Sequence, residues 1–149
     1  KTADAEHRAH QLAELSKTAL AAEANDKASQ YAQELLAITA KHTQDPKYDN
    51  AVHTGNTVLG RLALQQDNLA QAKAYLLKSA QVSGGGTLSS FGPNMSLAKE
   101  LLEHGEKEAV IQYLKLCKKF WSYPRNPLDQ WIQDIQQGRQ LNFAQNLNY

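Results

Sequence analysis

The sequence predicts an all-α protein. Apolar residues recur at helical spacing along most of the chain; Leu128, Trp131, Ile132 and Ile135, at i, i+3, i+4 and i+7, form one such stripe. No segment alternates apolar and polar residues for long enough to make a half-buried strand. Chain breakers are few, 8 Gly and 4 Pro in 149 residues, and most fall between the periodic segments. Hydrophobic residues at 42% and charged residues at 21% suit a single folded domain over 1–149 rather than a disordered chain.

The elements follow in order. Ala3 to Ala24 is rich in Ala, Leu, Glu, Lys and Gln and lacks Pro and Gly, so it reads as a first helix. Asn25-Asp26 breaks it and caps a second helix, about Lys27 to Lys41. Asp45-Pro46 opens a third, running through Val52, Val58, Leu59 and Leu62 to about Gln65. Asn68, with Gln71 three positions on, has the form of a capping box and starts a fourth helix to about Val82. Ser83 to Pro93 holds Gly84-Gly85-Gly86 and Gly92 and reads as a loop, with Phe91 anchoring it in the groove of a hairpin. A fifth helix runs from about Asn94 to Glu103, where Gly105 stops it, and a sixth from about Lys107 to Trp121. Asn126-Pro127 caps a seventh, to about Gln137. Beyond Gly138, Leu141, Phe143, Leu147 and Tyr149 are loosely spaced; this tail either folds back or docks on a neighbouring molecule.

The helices pair, and the pairs repeat. Asn56-x2-Leu59-Gly60-x2-Ala63 followed by Ala72-x3-Leu76 corresponds to Asn94-x2-Leu97-Ala98-x2-Leu101 followed by Val110-x3-Leu114. The distance from Gly60 to Ala72 equals that from Ala98 to Val110. Small residues at Gly60 and Ala98 let the two helices of a hairpin approach closely. A third copy is partial: Ala32-x2-Leu35-Leu36-x2-Thr39-Ala40 matches Ala72-x2-Tyr75-Leu76-x2-Ser79-Ala80.

With these residues the chain resembles the tetratricopeptide repeat family over roughly Ala13 to Phe120. It departs from that pattern in three ways. Asn replaces the first aromatic, Gly84 and Ser122 replace the closing proline, and the period is about 38 residues against about 34 in the standard repeat. The run from Ser89 to Trp121 is also similar to small bacterial tetratricopeptide-like proteins, a likeness that carries no function. The resemblance implies a right-handed solenoid of about three antiparallel helical hairpins, with repeats at about 13–43, 50–83 and 92–121. A capping helix and tail would cover 127–149, the helix shielding the last repeat.

Several chemistries are disfavoured. Net charge is +1, from 16 basic and 15 acidic residues, which argues against a binder of phosphate backbones. Phe120, Trp121, Tyr123 and Trp131, interleaved with Lys118, Lys119 and Arg125, read as packing of the last hairpin on its cap rather than a stacking platform for nucleic acid. The lone Cys117 excludes an internal disulfide and reads as a packing residue. His7 and His10 share a helical face but have no third ligand near in sequence, so no metal is expected. His42, His53 and His104 are placed at helix ends. Gly84-Gly85-Gly86 lacks both the strand and the lysine of a phosphate loop. Glu100, Glu103, Glu106 and Glu108 surround one turn and read as solvated surface. No nucleophile–base set is present, so neither an enzyme nor a cofactor is expected, and the apolar runs are too short for membrane insertion. The chain begins at Lys1, which fits a cytoplasmic protein or one exported after signal-peptide removal and does not choose between them.

In the tetratricopeptide family the first helix of each hairpin lines the concave side. Arg61 follows Gly60 and Lys99 follows Ala98, while Asn56 corresponds to Asn94. These four residues are the expected binding positions for a peptide or partner segment. The expected function is a protein–protein interaction scaffold. The alternative is a self-assembling homo-oligomer that uses the groove or the C-terminal tail for subunit contacts.

Overall fold

A computed structural model describes residues 2–85 and 88–147. It is all-helical, with no strand among the described residues. The helices are α1 (Thr2–Ala21), α2 (Asn25–Thr39), α3 (Asp49–Gln65), α4 (Leu69–Ser79), α5 (Leu88–Phe91), α6 (Ser96–Glu103), α7 (Lys107–Cys117) and α8 (Leu128–Gln136). Short 3-10 turns at Pro46–Tyr48 and Ala144–Leu147 complete it.

Some boundaries follow the sequence signals closely. The Asn68 side chain accepts the Gln71 N–H at 3.1 Å and donates back to the Gln71 side chain, so α4 starts on a reciprocal cap. The Asp45 carboxylate accepts the Lys47 N–H at 3.1 Å and opens the turn that leads into α3. Gly105, at φ 81°, ends α6 in the left-handed region. The Asn126 side chain accepts the Leu128 N–H at the start of α8.

Other boundaries shift, and at one of them a tertiary partner claims the group that the sequence assigns to a local cap. Asn25 does not cap α2; its amide donates to the Gln65 side chain at the end of α3. Helix α4 stops at Ser79 and α7 at Cys117, each short of its expected end. The loop after α4 contains α5, a single turn not expected from its sequence.

Helix α1 packs on α2, and both pack on α3; α3 packs on α4 and α6, α4 on α6 and α7, α6 on α7, and α7 on α8. The N-terminal interfaces are built from small residues: Ala9, Ala13, Ala28 and Ala32 are buried with Leu12 and Leu35. The larger core lies in the C-terminal half, where Leu76, Leu97, Leu101, Tyr113 and Leu114 are fully covered. Gly60 leaves no room for a larger side chain. A Cβ there would overlap Leu97 of α6 and lie 3.1 Å from Cβ of Tyr75 on α4. Helix α8 covers the end of this core with Leu128, Trp131 and Ile135. Beyond it the tail folds back, and buried Phe143 meets Trp131 edge-on at 5.0 Å. Tyr149 lies outside the described residues.

Candidate functional site

Helix α3 carries two polar stripes that the apolar period alone does not explain. His53, Thr54, Asn56 and Thr57 are all buried or nearly so, in the middle of a helix. Each stripe borders a cleft.

The larger cleft, about 1020 Å³, runs along α1 and α3 and ends at the segment that enters α6. Its α3 side is formed by Asn50, His53, Thr54, Thr57, Val58 and Arg61, which share one helical face. Lys17 and Leu20 of α1 form the opposite side. Leu88, Phe91, Asn94, Ser96 and Leu147 close the far end. The floor is therefore polar and the walls partly aliphatic and aromatic. Thr54 and Thr57 are each 7% exposed, and among the described residues neither hydroxyl has a hydrogen-bond partner. Their free hydroxyls, one turn apart, reach the cleft.

Beneath that floor a polar network anchors Ser79, residues 83–85 and residues 94–96. His53 Nδ1 lies 2.9 Å from the Ser79 carbonyl, and Nε2 accepts the Asn94 N–H at 2.8 Å. Since Nε2 must accept, the proton sits on Nδ1 and is donated to Ser79. Burial lowers the His53 pKa from 6.5 to about 4; the Ser79 carbonyl opposes this, and the positive charge of Lys17 adds to it. His53 therefore sits inside the fold rather than at a helix end. Tyr113 Oη donates to the Asn94 carbonyl at 3.0 Å. The Asn94 side chain accepts from both the N–H and the hydroxyl of Ser96, capping α6. Upstream, one oxygen of buried Asp49 accepts the N–H groups of Ser83, Gly84 and Gly85 and the Ser83 hydroxyl. Gly92 lies against Trp121, whose ring fills the space a Cβ would need and whose Nε1–H donates to the Ser90 carbonyl at 3.1 Å.

Phe91, expected to anchor this loop, is 61% exposed; buried Leu88 takes the inward position and Trp121 the anchoring contact. The single turn of α5 decides this by directing Leu88 to the core.

The four sequence-predicted binding residues do not share one surface. Arg61 and Asn94 both line the large cleft. Arg61 is engaged across the interface, with Nε and Nη2 each donating to a carboxylate oxygen of Glu100 at 3.1 Å and both side chains about one-third exposed. Asn56 faces a second cleft of about 720 Å³ between α2, α3 and α4, and its amide donates to the Val52 carbonyl. Lys99 is exposed, pairs with Glu103 one turn on at 3.0 Å, and lines neither cleft.

His7 and His10 border a smaller hollow of about 380 Å³ with Glu6, Lys47 and Asn50. Among the described residues no three His, Cys, Asp or Glu side chains are placed to hold a metal ion. The Cys117 thiol is fully buried, and burial raises its pKa despite a hydrogen bond with Tyr113. No helix among the described residues is long and apolar enough to cross a membrane. No protein-family model, curated protein or solved structure matches the chain.

Sequence reasoning missed His53, Thr54 and Thr57 as one surface. Their signal was present: polar residues at i, i+1 and i+4 in a helix with apolar residues on its other faces. Asp49 and Asn146 carried no such signal, since their partners are more than thirty positions away.

Proposed function

We propose that the protein is an interaction module of stacked helical hairpins, related in architecture to tetratricopeptide repeats, and that it binds an extended segment of a protein partner in the large cleft. The observation that carries this reading is the cleft's composition: a polar floor, with two threonine hydroxyls that have no hydrogen-bond partner among the described residues, between apolar walls. Such a floor offers hydrogen bonds to peptide backbone, and Leu20, Leu88 and Phe91 offer apolar contact to side chains. Arg61 and Asn94 are the predicted site residues that border it. The role is binding rather than catalysis. Both His53 ring nitrogens are occupied by backbone groups, and the Cys117 thiol is buried and held protonated.

Site-specific photo-crosslinking tests this. A crosslinker at position 57 should label a defined segment of a partner, whereas one at exposed position 130 on α8 should not. Filling the cleft with Thr57→Arg should abolish capture without loss of folding. Equal labelling from both positions, or capture unaffected by Thr57→Arg, would reject the cleft as the binding site.

A further inference from the structure

We propose that the C-terminal segment is a built-in occupant of the end of this cleft, and that a partner segment presenting a side-chain amide beside an aliphatic residue enters by displacing it. The proposal rests on the cleft being the binding site argued above.

The geometry is that of a bound peptide. After α8 the chain reverses at Gly138, in the left-handed region at φ 71°, and residues 136–140 are exposed. It then becomes buried again at Phe143 and Asn146, 3% and 5% exposed. The Asn146 carbonyl accepts the Met95 N–H at 2.7 Å, which fixes the direction of the segment. The Asn146 amide donates to the carbonyls of Phe91 and Pro93 at 3.0 Å each. Leu147, the next residue, lines the cleft. All three hydrogen bonds fall on Phe91–Met95, the stretch that closes the cleft and carries Asn94.

Two carbonyls converging on one side chain select a donor and reject a carboxylate, which has no proton to give at neutral pH. A ligand that replaces the tail must bring the same chemistry: a primary amide, followed by an aliphatic side chain for the Leu147 position. The exposed stretch at residues 136–140 lets the segment leave while its attachment to α8 stays in place.

The test uses the full chain, the variant Asn146→Asp, and a synthetic peptide with the sequence of residues 139–149. Weakening the resident segment should open the site, so Asn146→Asp should bind the peptide at least tenfold tighter than the wild type does. A peptide carrying the same Asn-to-Asp change should bind neither protein. A natively folded Asn146→Asp that binds no peptide, or binds it no tighter than the wild type, overturns the proposal. Native-state hydrogen exchange of the wild type decides independently of the variant's folding. The Met95 amide should exchange through a local opening, faster than the Leu114 amide of α7 and insensitive to low denaturant. If Met95 exchanges only at the rate of Leu114, the segment leaves only on unfolding and the proposal fails. Peptide binding by Asn146→Asp with no partner crosslinked at position 57 would keep the segment as a displaceable occupant of the cleft but remove the proposed function, and with it the partner that displaces the segment.

Discussion

His53 Nε2 accepts the backbone N–H of Asn94 at 2.8 Å, across 41 positions of sequence. Because Nδ1 donates to Ser79, one neutral imidazole ties the end of α4 to the start of α6. A second ring proton would set two donors, Nε2–H and the Asn94 N–H, against each other.

That relationship fixes a pH dependence. The folded pKa of about 4 lies below the ordinary value of 6.5, so between these pH values the unfolded chain binds the proton and the folded one does not. The stability due to neutral His53 is present above pH 6.5 and is lost as pH falls toward 4, by about 3 kcal/mol in total. Urea titrations at several pH values should show the wild type losing stability more steeply than His53→Gln in this window, by up to about 1.4 kcal/mol per pH unit. Parallel curves for the two proteins would mean that His53 is already protonated in the fold.

Asp49 holds the other end of the same loop, with four donors on one oxygen between 2.8 and 3.1 Å. Asp49→Ala leaves those donors without their acceptor. Hydrogen bonds to a charged group contribute about 1.5–3 kcal/mol, so the variant should lose about 2–3 kcal/mol in equilibrium unfolding. Asp49→Asn, which keeps an acceptor oxygen, should lose less. Indistinguishable unfolding of Asp49→Ala and the wild type would show that the loop is held elsewhere.

Gly60→Leu should destabilise by on the order of 1–3 kcal/mol or more, because even a Cβ at this position overlaps Leu97 and presses on Tyr75. Thermal melts read this directly. The same side chain on the exposed face of α4, as in Ala74→Leu, serves as the control and should change little.

Gly60 also shows what was legible in the sequence. Its small size, repeated at Ala98, marked a close helix contact, and both residues are buried. The order of the seven longer helices, the Asn68 cap and the Gly105 stop were equally readable, because each depends on neighbours within one or two turns, whereas the single turn of α5 was not. Asn25 was expected to cap a helix, and Asn94 only to begin one. Only Asn94 caps a helix, and it does so at Ser96 rather than by starting the helix itself. Competition from Gln65 is a tertiary fact. The pairing of Arg61 with Glu100 is another: the repeat spacing singled out the cation, but nothing local placed a carboxylate of the next hairpin within 3.1 Å. Phe91 failed for a related reason, since two apolar residues competed for one inward position and the turn of α5 gave it to Leu88.

Trp131 ties the terminal helix to the rest of the molecule. It is 6% exposed, its ring lies 5.9 Å from that of Trp121, and Phe143 packs against it edge-on. Trp131→Ala should cost about 3–5 kcal/mol, the range for removing a large buried aromatic. It should also free the C-terminal segment, so the Met95 amide should exchange faster. A melt within about 1 kcal/mol of the wild type would show that α8 does not serve as a cap.

The cleft itself gives the last prediction, which separates binding from stability. The hydroxyls of Thr54 and Thr57 have no partner among the described residues, so changing both to Val removes no hydrogen bond from the fold and keeps the side-chain shape. Val at these two positions should therefore leave unfolding free energy within about 0.5 kcal/mol of the wild type. If the hydroxyls bond a partner's backbone, each contributes about 0.5–1.5 kcal/mol to binding, and the double variant should bind about 5- to 150-fold more weakly. Arg61→Ala should act differently. The Arg61–Glu100 pair is about one-third exposed, so its loss should cost at most about 1 kcal/mol of stability. It also leaves the Glu100 carboxylate uncompensated, so binding of an acidic segment should weaken further and recover in high salt, where that charge is screened. Lys99→Ala, outside the cleft, should leave affinity unchanged. Calorimetry with the partner segment identified by crosslinking at position 57 reads all three. If Lys99→Ala weakens binding while the two Thr-to-Val changes do not, the partner lies on the exposed face of α6 that carries Lys99 and the large cleft is not its site.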